Sequence, residues 1–282
     1  MIIDTPVEQW MIGTREMFVK REDLACQPPG PPFAKVRGLA IVLENLKKQG
    51  VKTVGYMETS VSMAGWGISY FCGLLGMKAV IFAPQYKELR ENQIYQFEKW
   101  KEFGGEKRWL EKPNRMQINF YRARKILKDE YPDAVMLPLG LPFQETALEV
   151  AKQVQKLDRF YPSIVVCVGS GTMTGGIILG LKNKGCQSEV YGIFCSPKAD
   201  AGMKKKILSF SGIGGRPGFF NRNEPKLELI DEGYEYTKRE DIACPFPCNP
   251  YYDRKAFAWM MKNYDRLKKP VLFWNIGSDY II

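Results

Sequence analysis

The sequence predicts an α/β fold built on largely parallel sheets. Two observations carry this expectation: short apolar runs of strand length recur through the chain, and the stretches between them place apolar residues at helical spacing. Such alternation favours parallel pairing, because each crossover helix returns the chain to the same end of a sheet. In order, the strand runs are VKTVGYM (51–57), KAVIFAP (78–84), AVMLPL (134–139), SIVVCVG (163–169), EVYGIFC (189–195) and VLFWNI (271–276). Gly76, Gly104 and Gly185 stand where intervening helices should stop, and Pro132 follows a helix expected to end at Glu130 or Tyr131. The glycine-rich piece SGIGGRPGF (211–219) reads as a loop, and residues 234–250 are turn-rich.

A chain of 282 residues, 45% of them hydrophobic, can bury the core of a sizeable enzyme. No apolar run approaches the ~18 residues that cross a bilayer, and MIIDTPVEQW lacks the layout of a signal peptide. A cytoplasmic protein with no membrane partner is expected. Seven cysteines, with Cys167 and Cys195 inside strand runs, fit a reducing compartment better than a disulfide framework. The chain has no histidine, which excludes Ser-His-Asp and Cys-His triads and histidine-ligated zinc. Proton transfer falls to lysine, carboxylates, tyrosine or serine. Cys244 and Cys248 in CPFPC have the wrong spacing for a zinc knuckle, so no metal is expected. The net charge of +10 fits nucleic acid, an acidic partner or a solvated lysine-rich surface, and the dispersal of the lysines favours the last.

Two motifs carry chemistry. The run SIVVCVG breaks into GSGTMTGG, which contains Gly169, Ser170, Gly171, Thr172, Thr174 and Gly175, and then resumes as IILGL. A buried strand feeding a glycine- and hydroxyl-rich turn that opens a helix makes an anion cradle, because backbone N–H groups and the helix dipole converge there. It is not a Rossmann fingerprint, since the next strand ends in Cys195 and Ser196 where a ribose-binding acid is required. Nor is it a Walker loop, which needs a GK[ST] ending. A purely structural turn is the alternative. The second motif is Lys35 in FAKVRG, a lone lysine at the mouth of an amphipathic helix after CQPPGPPF. A lysine paired with a phosphate cradle suggests pyridoxal 5'-phosphate, against the plainer reading of a helix-start lysine.

These motifs and their order resemble the fold-type II pyridoxal-phosphate enzymes, the tryptophan synthase β-subunit superfamily. TPVEQW followed by MFVKREDL resembles its opening, FAKVRG its lysine motif, and NPYYDRKAFAWM followed by VLFWNIG a segment of the aminocyclopropane-carboxylate deaminase and D-cysteine desulfhydrase branch. The resemblance implies two open, mostly parallel twisted sheets flanked by helices, with a large cofactor-binding domain (1–42 and 142–282) and a small inserted one (43–141). It implies that Lys35 holds the cofactor as an aldimine and serves as acid or base at the substrate α-carbon. Gly169 to Gly175, through Ser170, Thr172 and Thr174, would hold the phosphate. Tyr252 would be catalytic and Asp253 would face the pyridine nitrogen, although a carboxylate at a helix start is also a dipole partner.

In TSVSMAGWG (59–67), Ser60, Ser62 and Ala64 match the loop that binds the substrate, and Ser62 would also take part in catalysis. Met63 stands where the family has an asparagine against the cofactor's phenolic oxygen, and Ala64 replaces a histidine. The implied activity is a lyase or deaminase acting on a small amino acid, with a homodimer expected. Two alternatives stay open: a pyridoxal-phosphate enzyme whose amino acid is tethered to a polyanion such as modified nucleic acid, undergoing elimination or decarboxylation, and a non-catalytic cofactor-binding protein.

Overall fold

The computed structural model describes residues 1–59, 61–111, 115–197, 201–211 and 224–279. Ser60 and residues 212–219 of the glycine-rich piece lie outside them. In chain order the strands are β1 (Val7–Ile12), β2 (Arg15–Arg21), β3 (Thr53–Met57), β4 (Lys78–Pro84), β5 (Glu106–Leu110), β6 (Val135–Met136), β7 (Ser163–Val168), β8 (Glu189–Phe194), β9 (Lys226–Ile230) and β10 (Val271–Asn275). The helices are α1 (Val36–Lys48), α2 (Ala64–Leu75), α3 (Glu91–Glu102), α4 (Met116–Glu130), α5 (Gln144–Gln155), α6 (Thr172–Lys184), α7 (Ala201–Phe210) and α8 (Asp253–Lys262).

Two sheets result, one ordered β1-β2-β10-β7-β8-β9 and the other β5-β4-β3-β6. All pairs are parallel except the β1–β2 hairpin. The strands of the four-stranded sheet fall within 43–141 and those of the six-stranded sheet outside that span, while α1 runs across the boundary at residue 43. Each of the six apolar runs contains a strand, and β1, β2, β5 and β9 are additional. Three of the additions are sheet edges, where one side of the ladder faces solvent and polar residues are tolerated. AVMLPL supplies only the two-residue β6.

Helix ends follow the glycines. Gly76 and Gly185 adopt φ of 65° and 69° as the caps of α2 and α6, a left-handed conformation that costs glycine nothing. Helices α5 and α6 approach so closely that a Cβ on Gly180 would lie 2.5 Å from that of Val154 and 2.9 Å from the Ala151 carbonyl oxygen. That packing fixes the direction in which the start of α6 points.

The charged tail of β2 is buried because it is paired. Arg37 grips Glu22 with Nε and Nη2 at 2.8 and 2.9 Å, and Arg21 grips Asp23 at 2.9 and 2.8 Å. Asp23 also accepts from Asn275 Nδ2 at 3.0 Å, tying β2 to the end of β10. Among the described residues no helix is long and apolar enough to cross a membrane.

Candidate active site

Lys35 immediately precedes α1, and the segment before it is pinned to the end of β10. The Ala34 N–H donates to the Ile276 carbonyl at 2.8 Å, and the Ser278 N–H to the Pro32 carbonyl at 3.1 Å. So anchored, the half-buried Lys35 donates from Nζ to the Gly140 carbonyl at 2.6 Å and to Ser170 Oγ at 3.0 Å. The Gly140 N–H in turn donates to the Tyr56 hydroxyl at 3.2 Å. Burial disfavours the ammonium and lowers the lysine pKa from 10.5 to about 8. A substantial neutral fraction is therefore available just above neutral pH.

The cradle forms where β7 turns into α6. Ser170 Oγ and Thr172 Oγ1 lie 2.9 Å apart, so Lys35, Ser170 and Thr172 form one chain of polar groups. Gly171 takes φ of 83°, and a Cβ there would sit 2.7 Å from Ile207 of α7, so glycine is required on two counts. Thr172 and Thr174 are fully buried, and Thr174 Oγ1 has no hydrogen-bond partner among the described residues. Gly175 makes room for α7: a Cβ on it would lie 2.5 Å from that of Phe210.

Asp253 is fully buried at the first position of α8. Its Oδ1 accepts the Ile276 N–H at 2.9 Å rather than an amide of its own helix, and Oδ2 has no partner among the described residues. Burial raises its pKa well above the carboxylate range. The carboxyl of this helix-start residue is thus turned toward the end of β10. A Cβ on Gly277 would be 3.5 Å from both Asp253 Oδ2 and Met63 Cε, which brings the loop before α2 and the start of α8 to one patch of backbone. Tyr252 makes a 2.6 Å hydroxyl contact with Tyr236, whose hydroxyl is 2.9 Å from Thr59 Oγ1.

The loop between β3 and α2 is organised by Glu58. This buried carboxyl accepts the Thr59 N–H at 2.8 Å and the Gly65 N–H on its other oxygen. Ser62 Oγ accepts the Ala64 N–H at 3.0 Å, and the Ala64 side chain is buried and contributes no polar atom. Burial pushes the Glu58 pKa up to about 8. Glu58, Gly140, Tyr56 and Tyr236 were not foreseen from sequence. A lone carboxylate closing the apolar strand was the one signal for Glu58, and the glycine–proline punctuation of PLGLP the one for Gly140.

Pyridoxal 5'-phosphate asks a protein for an amine, an anion seat and a group opposite its ring nitrogen. Lys35, the hydroxyl-rich start of α6 and the unpartnered Asp253 Oδ2 meet those three needs. Comparison with known proteins agrees. Residues 2–240 match the family model described as pyridoxal-phosphate dependent enzyme. The chain is 31% identical over 293 residues to the glycyl-dTMP PLP-dependent decarboxylase of Pseudomonas phage M6, an alignment covering 99% of this chain and 100% of that one. Among solved structures, an ACC deaminase homologue superposes with a TM-score of 0.76 at 21% identity, covering 98% of this chain and 89% of its own. A hydrogen sulfide-producing enzyme from Fusobacterium nucleatum gives 0.68 at 17%, covering 99% and 96%. These two likenesses show the fold.

Proposed function

We propose that this chain, which belongs to the family of pyridoxal-phosphate dependent enzymes, decarboxylates an amino acid joined to a pyrimidine nucleotide. The full-length likeness to the phage glycyl-dTMP enzyme supports the substrate class. The same likeness, to a protein described as a decarboxylase, carries the choice of reaction, and the loop before α2 is where the substrate carboxylate would sit. A substrate carboxylate held there would look for backbone N–H groups at the helix start. The amides of Thr59, Ala64 and Gly65 are already engaged by Glu58 and Ser62, and the Glu58 carboxyl lies buried beneath them. A carboxylate seated there would find these three amides already taken.

When bound, the cofactor supplies a sink for the electron pair left on the α-carbon as its bond to the carboxylate breaks. Lys35, with its pKa near 8, can hold and return a proton at that carbon. Ser170, Thr172 and Thr174 would hold the phosphate through charge-assisted hydrogen bonds. Asp253, whose pKa burial raises, would offer Oδ2 to the ring nitrogen.

The test is to incubate holoenzyme with glycine joined to dTMP and follow carbon dioxide, ammonia and the mass of the nucleotide product. Release of carbon dioxide with retention of the amine on the nucleotide supports the proposal. Release of ammonia and a keto acid instead would return the reaction to the deaminase class, and a normal cofactor spectrum with no turnover would favour a non-catalytic role.

A further inference from the structure

Glu58, just past the end of β3, is 3% exposed, and among the described residues its carboxyl pairs with no cation. Burying a carboxyl without a cation is costly, so its remaining partners must account for it. They are two backbone amides and one hydroxyl. One oxygen accepts the Thr59 N–H at 2.8 Å, the other accepts the N–H of Gly65, the second residue of α2, and the Ser62 hydroxyl is within hydrogen-bonding reach. The approach leaves no space for a side chain: a Cβ on Gly65 would lie 2.8 Å from Glu58 Oε2.

Helix starts attract anions because their first N–H groups have no partners within the helix. At the phosphate turn, α6 begins with threonine hydroxyls and no acidic residue in its first turn. α2 also has no acidic residue in its first turn and no side-chain cap at Met63, yet a carboxyl from seven positions earlier meets its Gly65 amide. Ser62 Oγ takes the Ala64 amide. The chain thus brings its own anion to α2 and leaves the first turn of α6 without one. This filled helix start adjoins Lys35 through a short series of contacts. Lys35 Nζ donates to the Gly140 carbonyl, the Gly140 N–H donates to the Tyr56 hydroxyl, and the Ser62 hydroxyl is within reach of both Tyr56 and Glu58.

A free amino acid has two handles, an amine for the cofactor and a carboxylate that needs N–H donors. With the Thr59, Ala64 and Gly65 amides engaged, its carboxylate gains little from this loop and meets the Glu58 carboxyl as well. A ligand with only those two handles binds poorly, whereas one carrying a nucleotide draws its affinity from elsewhere. We infer that Glu58 is a specificity-determining residue: it occupies the carboxylate seat from within and so keeps free amino acids from the site. This rests on the nucleotide-linked substrate proposed above and adds the residue that turns the unlinked amino acid away.

The experiment titrates cofactor-loaded parent, Glu58→Gln and Glu58→Ala with glycine, methylamine and glycine joined to dTMP, followed by calorimetry and by the cofactor's visible band. The parent should need at least about tenfold more free glycine than nucleotide-linked glycine for half-saturation. In Glu58→Gln an NH2 that cannot accept replaces one carboxyl oxygen, which frees an amide and adds a donor, so half-saturating glycine should fall by about tenfold or more. Glu58→Ala frees both amides and should lower it at least as far. Methylamine has the amine but no carboxylate, and should bind parent and variants alike. Glycine binding unchanged by both substitutions, or improved only in step with methylamine, would overturn the inference. The isosteric glutamine keeps the test available if alanine does not fold, and a parent that takes free glycine as readily as nucleotide-linked glycine overturns it without any variant. The two readings fail separately. Improved glycine binding in Glu58→Gln, with no carbon dioxide from glycine-linked dTMP in the parent, removes the proposed reaction alone. Carbon dioxide release by the parent, with unchanged glycine binding in the variants, removes the role of Glu58 alone.

Discussion

The amine of Lys35 and the hydroxyl of Ser170 meet at 3.0 Å although 135 positions separate them in the chain. The lysine and the turn at 169–175 thus form one site, and on the proposed function Lys35 would exchange this contact for the cofactor aldehyde.

That exchange needs the neutral amine. With the lysine pKa lowered to about 8, the rate of cofactor uptake should climb by about tenfold per unit below pH 8 and level off above it. Stopped-flow absorbance after mixing apoprotein with pyridoxal 5'-phosphate checks this. Borohydride should then fix the cofactor on Lys35, and a label on another lysine would remove the assignment.

The two threonines should behave differently. Thr174 has no hydrogen-bond partner for its hydroxyl among the described residues, so Thr174→Val should leave the apoprotein as stable as the parent or more so, while weakening cofactor retention by about tenfold or more. Thr172→Val also breaks the contact with Ser170 and should lower both thermal stability and retention. Equilibrium dialysis and thermal melting separate the two effects, and unchanged retention in both variants would place the anion elsewhere.

Asp253→Asn keeps an acceptor for the Ile276 N–H and loses the acid. Turnover should fall more than tenfold while the fold survives. A pH dependence follows from linkage: burial raises the folded pKa above its unfolded value near 4, so the carboxyl's stabilising contribution declines as pH rises above that value toward the raised folded pKa. Relative to the parent, the apoprotein variant should therefore gain melting temperature as pH rises above about 4, on the order of a few degrees. A lower melting temperature with unaltered turnover would restore the structural role.

Met63, with its methyl carbon and Asp253 Oδ2 both close to Gly277, offers a thioether that cannot donate a hydrogen bond. Met63→Asn supplies a donor and should shift the pH titration of the bound cofactor's visible band. An identical titration in variant and parent would mean that Met63 does not face the ring.

Local motifs drew attention to Lys35, the 169–175 turn and the Tyr252–Asp253 pair, each a few consecutive residues, and the structure brings Lys35 to Ser170 of that turn. Central strands were legible for the same reason, since β7 is buried along its whole length and reads as a continuous apolar run. β1, with its polar VEQWMI, and β5, EKRWL, were not, because edge strands alternate with solvent. β2 was hidden by Lys20 and Arg21, which are buried through Gln153 on α5, Glu8 on β1 and the neighbouring Asp23. Gly140 acquires meaning only from its tertiary contacts with Lys35 and Tyr56, whereas Glu58 makes its hydrogen bonds within residues 58–65.

The position of β10 between β2 and β7 carries a consequence for biosynthesis. During translation the two flanking strands emerge long before the strand that joins them, and the Ile276 N–H that fixes Asp253 follows later still. A ribosome-bound chain halted before Val271 has its lysine and its phosphate turn but no closed sheet beneath them. Closure of the six-stranded sheet therefore waits for β10, and a chain halted before it leaves the apolar edges of β2 and β7 unpaired.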